Sequence, residues 1–364
     1  MTNMIGLVNL GNTCYINCGI QILNNIKPLQ KILKNNKNNY KNDNHDDVIT
    51  NEFLNLIEMK YNNDNDNDND NDNDNDNDND NDNNSNGNII ISPKRFIYYV
   101  NHVSVQKKLS FYTNNEGDVV EFLFFIIDCF NNSIKKNKSS SNNISTNIDV
   151  NNKYFLKNNI KYIDEKIKEY NYNNKSKIID MFYGSYLSFI ESYNTSEIIS
   201  LNFQTFMILD LCLINNKNIT IYDCFDFFVK KELLNLDNSF YNEKTKAYEK
   251  VYKYNKLWNL PNILIVVFNR FDNNNNKLNH IVDSPIENIN LNKYIYDKDK
   301  DKDNNNKYIY DLTSIIYHFG VCMSGHYTCA IKKNNEFYNI NDQHIRVAKN
   351  IINNNVYSFI YTKK

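Results

Sequence analysis

Only eight glycines punctuate the 364 residues, and five of them fall in two short segments: Gly6, Gly11 and Gly19 near the start, Gly320 and Gly325 near the end. Glycine is required where the backbone takes a positive φ or where a ligand or a second backbone comes close. A chain this poor in glycine, with only four prolines besides, therefore marks the few places where its backbone must do something unusual. Those two segments, at opposite ends of the chain, are where chemistry is expected.

Bulk properties narrow the class. The formal net charge of -2 gives no reason to expect nucleic-acid or membrane affinity. No apolar run approaches the ~18–20 residues that a membrane span needs. Residues 1–6 lack the charged start and long apolar stretch of a secretory signal. Seven cysteines occur, an odd count with no spacing that reads as a disulfide framework. Reduced thiols in the cytosol or nucleus are the expectation. No Cys-x-x-Cys is present, so the commonest structural zinc signature is absent; no metal and no cofactor is expected.

Asn and Asp alternate over residues 62–84, with nothing apolar to bury, which predicts a disordered tract inside an insert spanning about 35–90. Its flanks, 34–47 and 85–88, are expected to share the disorder. Residues 131–152 read as a loop rich in Asn, Ser and Lys, and 297–307 as a charged loop. Elsewhere the apolar periodicity predicts helices over 14–25 (capped by Thr13 or Asn12), 47–59, 93–100, 118–130 and 221–234. Strands are predicted over 181–190, 197–202, 206–213, 262–271, 308–319, 326–333, 336–341 and 356–362. Helices first and strands later indicate an α+β protein with a cleft between the two parts.

Cys14 follows a loop containing Gly6 and Gly11 and opens the first predicted helix. Unpaired N–H groups and the positive end of the helix dipole then face the sulfur, which favours the reactive thiolate. The Cys14 N–H and the side-chain amide of Asn9 are candidate donors to an oxyanion. Among six histidines, His326 alone follows a glycine at the mouth of a predicted strand. A turn at 333–335 sends the next strand back and returns Asn341 and Asp342 toward His326. Either one would accept the second imidazole N–H, completing a cysteine–histidine–Asn/Asp arrangement.

The segment GLVNLGNTCYINCGIQ, residues 6–21, resembles the cysteine box of the ubiquitin-specific proteases. SGHYT at 324–328, followed by FYNIND at 337–342, is similar to their histidine box. EGDVVEF (116–122) and LPNILIVVFNRF (260–271) resemble two further landmarks between them. The resemblance covers nearly the whole chain apart from the inserts and implies one catalytic domain over 1–364. The implied fold is papain-like, with a helical thumb, a β-rich palm and β fingers. The implied activity is a cysteine-type deubiquitinase that cuts after the C-terminal glycine of ubiquitin on protein conjugates.

On this resemblance Cys14 is the nucleophile, His326 the base, Asn341 the third member with Asp342 sharing its role, and Asn9 the oxyanion donor. Asp118, Glu121, Gly325 and Tyr327 align with positions that line the substrate tail, where a carboxylate would pair the tail's arginine. Ubiquitin and ubiquitinated proteins are the implied partners, with room for an activating protein. The departures are specific. The family's two finger Cys-x-x-Cys pairs would fall near 191–194 and 241–246, which hold no cysteine. Glu116-Gly117 replaces two glutamines, and Cys18 replaces a serine. Two other readings keep the same resemblance: a non-catalytic ubiquitin-binding module, and a protease for another ubiquitin-like modifier.

Overall fold

The computed structural model describes residues 4–41, 43–58, 89–109, 111, 116–135, 146–148, 165, 176–214, 219–296, 307–322 and 324–364. The Asn/Asp tract at 62–84, most of 131–152 and nearly all of 297–307 lie outside those residues. The chain divides into two compact units, Met1–Ser133 with His326–Lys349, and Ile134–Gly325 with Asn350–Lys364. Both glycine-marked catalytic motifs, apart from Gly320 and Gly325, fall in the first.

In the first unit, strand β1 (Ile5–Leu7) pairs in parallel with β2 (Ile89–Ile91). Helix α1 (Cys14–Asn25) is buried at every position from Cys14 to Leu23. Two polar side chains on it, Asn17 and Gln21, are buried because they serve backbone: Gln21 donates to the Ile5 carbonyl at 2.7 Å, and Asn17 reaches the Leu7 and Val8 carbonyls at 3.4 and 3.3 Å. A buried amide is tolerable only with such partners.

Helix α2 (Lys27–Asn35) begins at a proline and buries only Leu29 and Leu33, one turn apart. The expectation of disorder over 34–47 is thus corrected: α2 ends inside that range, and α3 (His45–Glu58) begins there. Asn44 starts α3 by accepting from the Asp46 and Asp47 N–H groups at 3.0 and 3.3 Å. Helix α4 (Lys94–Gln106) runs six residues past the predicted end. It meets α3 through Phe53 and Phe96 and through a two-pronged Arg95–Glu52 bond of 2.8 and 3.0 Å. Helix α5 (Val119–Ile134) carries on into the expected loop at 131; the Phe130 ring packs tilted against Phe53, centroids 5.0 Å apart.

The same unit holds strand β3 (Ser324–Lys333) from His326 onward, with β4 (Glu336–Asn341) and β5 (His344–Val347), antiparallel in that order. Lys333 faces Glu336 across a two-residue turn in which Asn334 and Asn335 both have positive φ, 49° and 66°. That is the twist a tight hairpin needs, and asparagine is the best residue after glycine to supply it. A second two-residue turn, Asp342 and Gln343, links β4 to β5, with Asp342 at φ 50°.

The second unit contains a five-stranded sheet in the order Thr146–Ile148, Ile198–Phe206, Gly184–Ser192, Val251–Asn259, Glu232–Leu234. Leu187, Phe189, Leu201, Phe203 and Trp258 form its core. Strands Ile309–Val321, Val356–Lys363, Ile263–Asn269 and Ile208–Cys212 follow one another in a second set. The predicted strand at 181 instead begins at Gly184, because Met181 and Phe182 end a short helix capped by Ser176. The predicted helix over 221–234 stops at Val229; Lys230 turns extended and Glu232–Leu234 joins the sheet. Near 191–194, Glu191 is buried with both oxygens 2.7 Å from Lys231 Nζ and the Tyr254 hydroxyl at 3.0 Å. Among the described residues no helix is long and apolar enough to cross a membrane, and no cluster of metal-ligating side chains occurs.

Candidate active site

The loop ahead of α1 is organised around one side chain. Asn9 Oδ1 accepts from the Gly11 N–H at 3.1 Å, the Thr13 N–H at 3.2 Å and the Thr13 hydroxyl at 3.1 Å. Gly11 and Asn12 take positive φ, 92° and 51°, a turn that an ordinary side chain resists. Thr13 precedes the helix, but its hydroxyl accepts from the Leu10 N–H at 2.9 Å and does not cap the first turn. Cys14 therefore sits at the first helical position, 7% exposed, beside donors its own loop leaves uncapped.

His326 lies near the start of β3, its Nε2–H donating to Asn341 Oδ1 at 2.7 Å. That bond leaves Nδ1 as the second ring nitrogen. The imidazole is raised to about 9, first by a hydrogen-bonding interaction with the Cys14 side chain. Partial burial works against the charged ring; the bond to Asn341 and the negative charges of Cys14 and Asp342 work for it.

Asp342 is held on three sides. Asn9 Nδ2 donates to its Oδ2 at 3.0 Å, Asn17 Nδ2 to its Oδ1 at 2.8 Å, and the Leu7 N–H to its backbone carbonyl at 3.1 Å. Its Oδ2 lies 4.0 Å from His326 Nε2, outside hydrogen-bond distance. A Cβ at Gly6 would sit 2.5 Å from the Gln343 carbonyl oxygen, so only glycine lets β1 close on this turn.

Asn9 and Asp342 are hydrogen-bonded, as are His326 and Asn341, and Cys14 opens the helix that follows the Asn9 loop. Asp118 and Glu121 stand at the start of α5. Asp118 Oδ1 accepts from the Val120 and Glu121 N–H groups at 2.6 and 3.3 Å, and its Oδ2 accepts from the Tyr327 hydroxyl at 2.9 Å. It is therefore a helix cap that also anchors the residue next to His326. Glu121 is exposed. Gly325 belongs to the second unit, where a Cβ would strike the His318 ring at 2.2 Å. Asn17 was missed by sequence reasoning; the available signal was a polar residue one turn after Cys14 on a helix buried all round.

The coordinates resemble the SAGA Ubp8/Sgf11/Sus1/Sgf73 DUB module bound to ubiquitin aldehyde, with a TM-score of 0.66 at 19% identity, covering 99% of this chain and 69% of that one. The likeness shows the papain-like α+β fold expected from the sequence. The chain is 30% identical over 155 residues to ubiquitin carboxyl-terminal hydrolase 12 of Saccharomyces cerevisiae, across 41% of this chain and 12% of that protein. It is 23% identical over 367 residues to ubiquitin carboxyl-terminal hydrolase Usp2 of Drosophila melanogaster, across 99% of this chain and 35% of that protein. It thus spans a minor part of either relative's length. The sequence pattern of one family, ubiquitin carboxyl-terminal hydrolase, matches residues 5–361, and with the two motifs converging in one unit of that fold, the chain belongs to the ubiquitin carboxyl-terminal hydrolase family.

Proposed function

We propose that this chain is a thiol-dependent deubiquitinase, hydrolysing the bond that follows the C-terminal glycine of ubiquitin on protein conjugates. The observation that carries the reading is the bond by which His326 Nε2–H donates to the Asn341 amide oxygen at 2.7 Å, on an imidazole whose proton is held chiefly by the Cys14 side chain. In the first step the Cys14 sulfur attacks the glycine carbonyl carbon. The oxygen that takes up the electron pair faces the Cys14 N–H and the Asn9 amide, whose Nδ2 has a second hydrogen beyond the one given to Asp342. His326 gives its proton to the leaving lysine amine as the C–N bond breaks, leaving a thioester. Water then attacks that thioester, His326 takes its proton, and the freed carboxylate departs with Cys14 restored.

Around this centre, Tyr327 and Asp118 form one braced pair beside the base, and Glu121 is the exposed carboxylate available to the arginine of the ubiquitin tail. A cytosolic or nuclear setting is supported by seven cysteines, none of them paired. The similar Ubp8 module is assembled with Sgf11, Sus1 and Sgf73, so the assay of this chain is run first alone.

Ubiquitin carrying a C-terminal electrophile is expected to label the protein once, at Cys14, with Cys14→Ala unlabelled, inactive and still able to bind ubiquitin. Folded wild type that binds ubiquitin yet neither reacts nor turns over would assign the docking role instead. Preferential labelling by the probe of a related modifier would move the substrate class.

A further inference from the structure

We propose that Asn17 is a positioning residue of this reaction: its amide fixes the Asp342 carboxylate, which in turn fixes the Asn9 amide that faces the oxyanion. The inference rests on the assignment of Cys14 as nucleophile and Asn9 as oxyanion donor.

Asn17 lies one turn beyond Cys14 on α1 and is 3% exposed. Its Nδ2 makes one short bond, 2.8 Å to Asp342 Oδ1, and two long ones to the Leu7 and Val8 carbonyls. Its own Oδ1 is buried with no hydrogen-bond partner among the described residues. An orphaned buried acceptor is unfavourable, so what the amide contributes there is its donor side. The orientation of that amide is forced, because only the NH2 group can face a carboxylate.

The Asp342 carboxylate is divided between two asparagines. Oδ1 takes Asn17 and Oδ2 takes Asn9. The Asp342 backbone is pinned at φ 50° by the Leu7 N–H and by the close approach of Gly6 to Gln343. The side-chain torsion is the freedom that remains, and Asn17 at Oδ1 and Asn9 at Oδ2 hold it from either side. Without the Asn17 bond only Asn9 restrains the carboxylate from swinging toward the His326 ring, whose Nε2 is already 4.0 Å from Oδ2. The Asn9 amide, still held at Oδ1 by Gly11 and Thr13, would then have a misplaced acceptor on its Nδ2 side. A misplacement of this size is enough to cost a large factor in rate.

The test compares Asn17→Ala, Asp342→Ala and the double variant using a ubiquitin C-terminal fluorogenic amide, alkylation of Cys14 by iodoacetamide, and thermal melting. Alkylation needs the thiolate–imidazolium pair but no oxyanion donor. Asn17→Ala is expected to lower kcat by about 10- to 100-fold, with KM and the alkylation rate nearly unchanged; the melting temperature falls modestly, because the Leu7 and Val8 carbonyls lose a donor. In the Asp342→Ala background it is expected to cost nothing further, because both changes break one chain of contacts. Should Asn17→Ala fail to fold, Asn17→Ser is measured in its place by the same criteria, with an intermediate loss expected from its shorter donor. A wild-type kcat, an equal loss in both backgrounds, or a fall in alkylation in step with kcat would overturn the proposal. Failure of the underlying assignment shows differently, as turnover that survives Cys14→Ala.

Discussion

His326 is pulled in two directions, since partial burial disfavours its charged form and the neighbouring sulfur favours it, and the sulfur wins, raising the ring to about 9. An imidazole raised above its ordinary value of about 6.5 stabilises the fold through its proton. That contribution is fully present below about 6.5 and is lost as pH rises through about 9. The melting temperature of wild type is therefore expected to fall more between those values than that of His326→Ala. The basic limb of kcat/KM belongs at the same upper value, since the leaving amine needs that proton. Because Cys14 is the largest cause, an NMR titration of His326 is expected to move further down in Cys14→Ala than in Asn341→Ala; a larger shift in the asparagine variant would reverse the order of causes. Cys14, His326 and Asn341 were legible in sequence because a glycine approach, a helix start and a hairpin are local features. The partners of Asp342 were not, since Asn9 and Asn17 reach it from more than three hundred residues away along the chain. Asp118 was legible as a polar position at a helix start, but its bond to Tyr327 exists only in the fold.

Turns and strand contacts decide where those side chains stand. Gly6→Ala would place a methyl 2.5 Å from the Gln343 carbonyl oxygen, a clash of backbone against backbone that no rotamer relieves. A loss of about 1–3 kcal/mol is expected by urea unfolding, with turnover reduced because the Asp342 turn shifts. Conversely, Asn335→Gly at φ 66° keeps the turn and removes the residual strain of a left-handed asparagine, for an expected gain of a few tenths of a kcal/mol up to about 1 kcal/mol. The hairpin itself was readable from alternation on either side of two asparagines. The same residue type hid α2, because asparagine and lysine at 34–39 look like loop when only Leu29 and Leu33 mark the buried face. Strand β5 escaped notice for a related reason, with Ile345 its only buried side chain. The break after Val229 is set by pairing of Glu232–Leu234 with the strand Val251–Asn259, a tertiary bond that helical periodicity does not reveal.

For the molecule as a whole, the sequence declared the two ends of one unit, and of the other it showed strands but not the contacts that join them. The second unit is held in part by Glu191, buried against Lys231 and Tyr254, with the lysine also over the Tyr254 and Tyr252 rings at 4.8 and 5.6 Å. Lys231→Ala strands a buried carboxylate with only a phenol, and about 1–3 kcal/mol of stability is expected to go with it. Lys231→Met, which keeps the aliphatic stem over the rings but not the charge, is expected to recover little; equal stability for all three in urea would remove the ion pair from the account. No local pattern announces such a contact, since Glu191 and Lys231 are forty residues apart. The first unit has a different consequence, because it is discontinuous: its nucleophile lies within Met1–Ser133 and its base within His326–Lys349. A ribosome that has extruded the first stretch has delivered a sulfur with no imidazole and a helix buried on every side with part of its covering still unmade. Assembly of that half must wait for nearly two hundred further residues, so the nascent chain stays inert until the second stretch has been made. During that interval the unclad α1 is the surface a chaperone would be expected to hold.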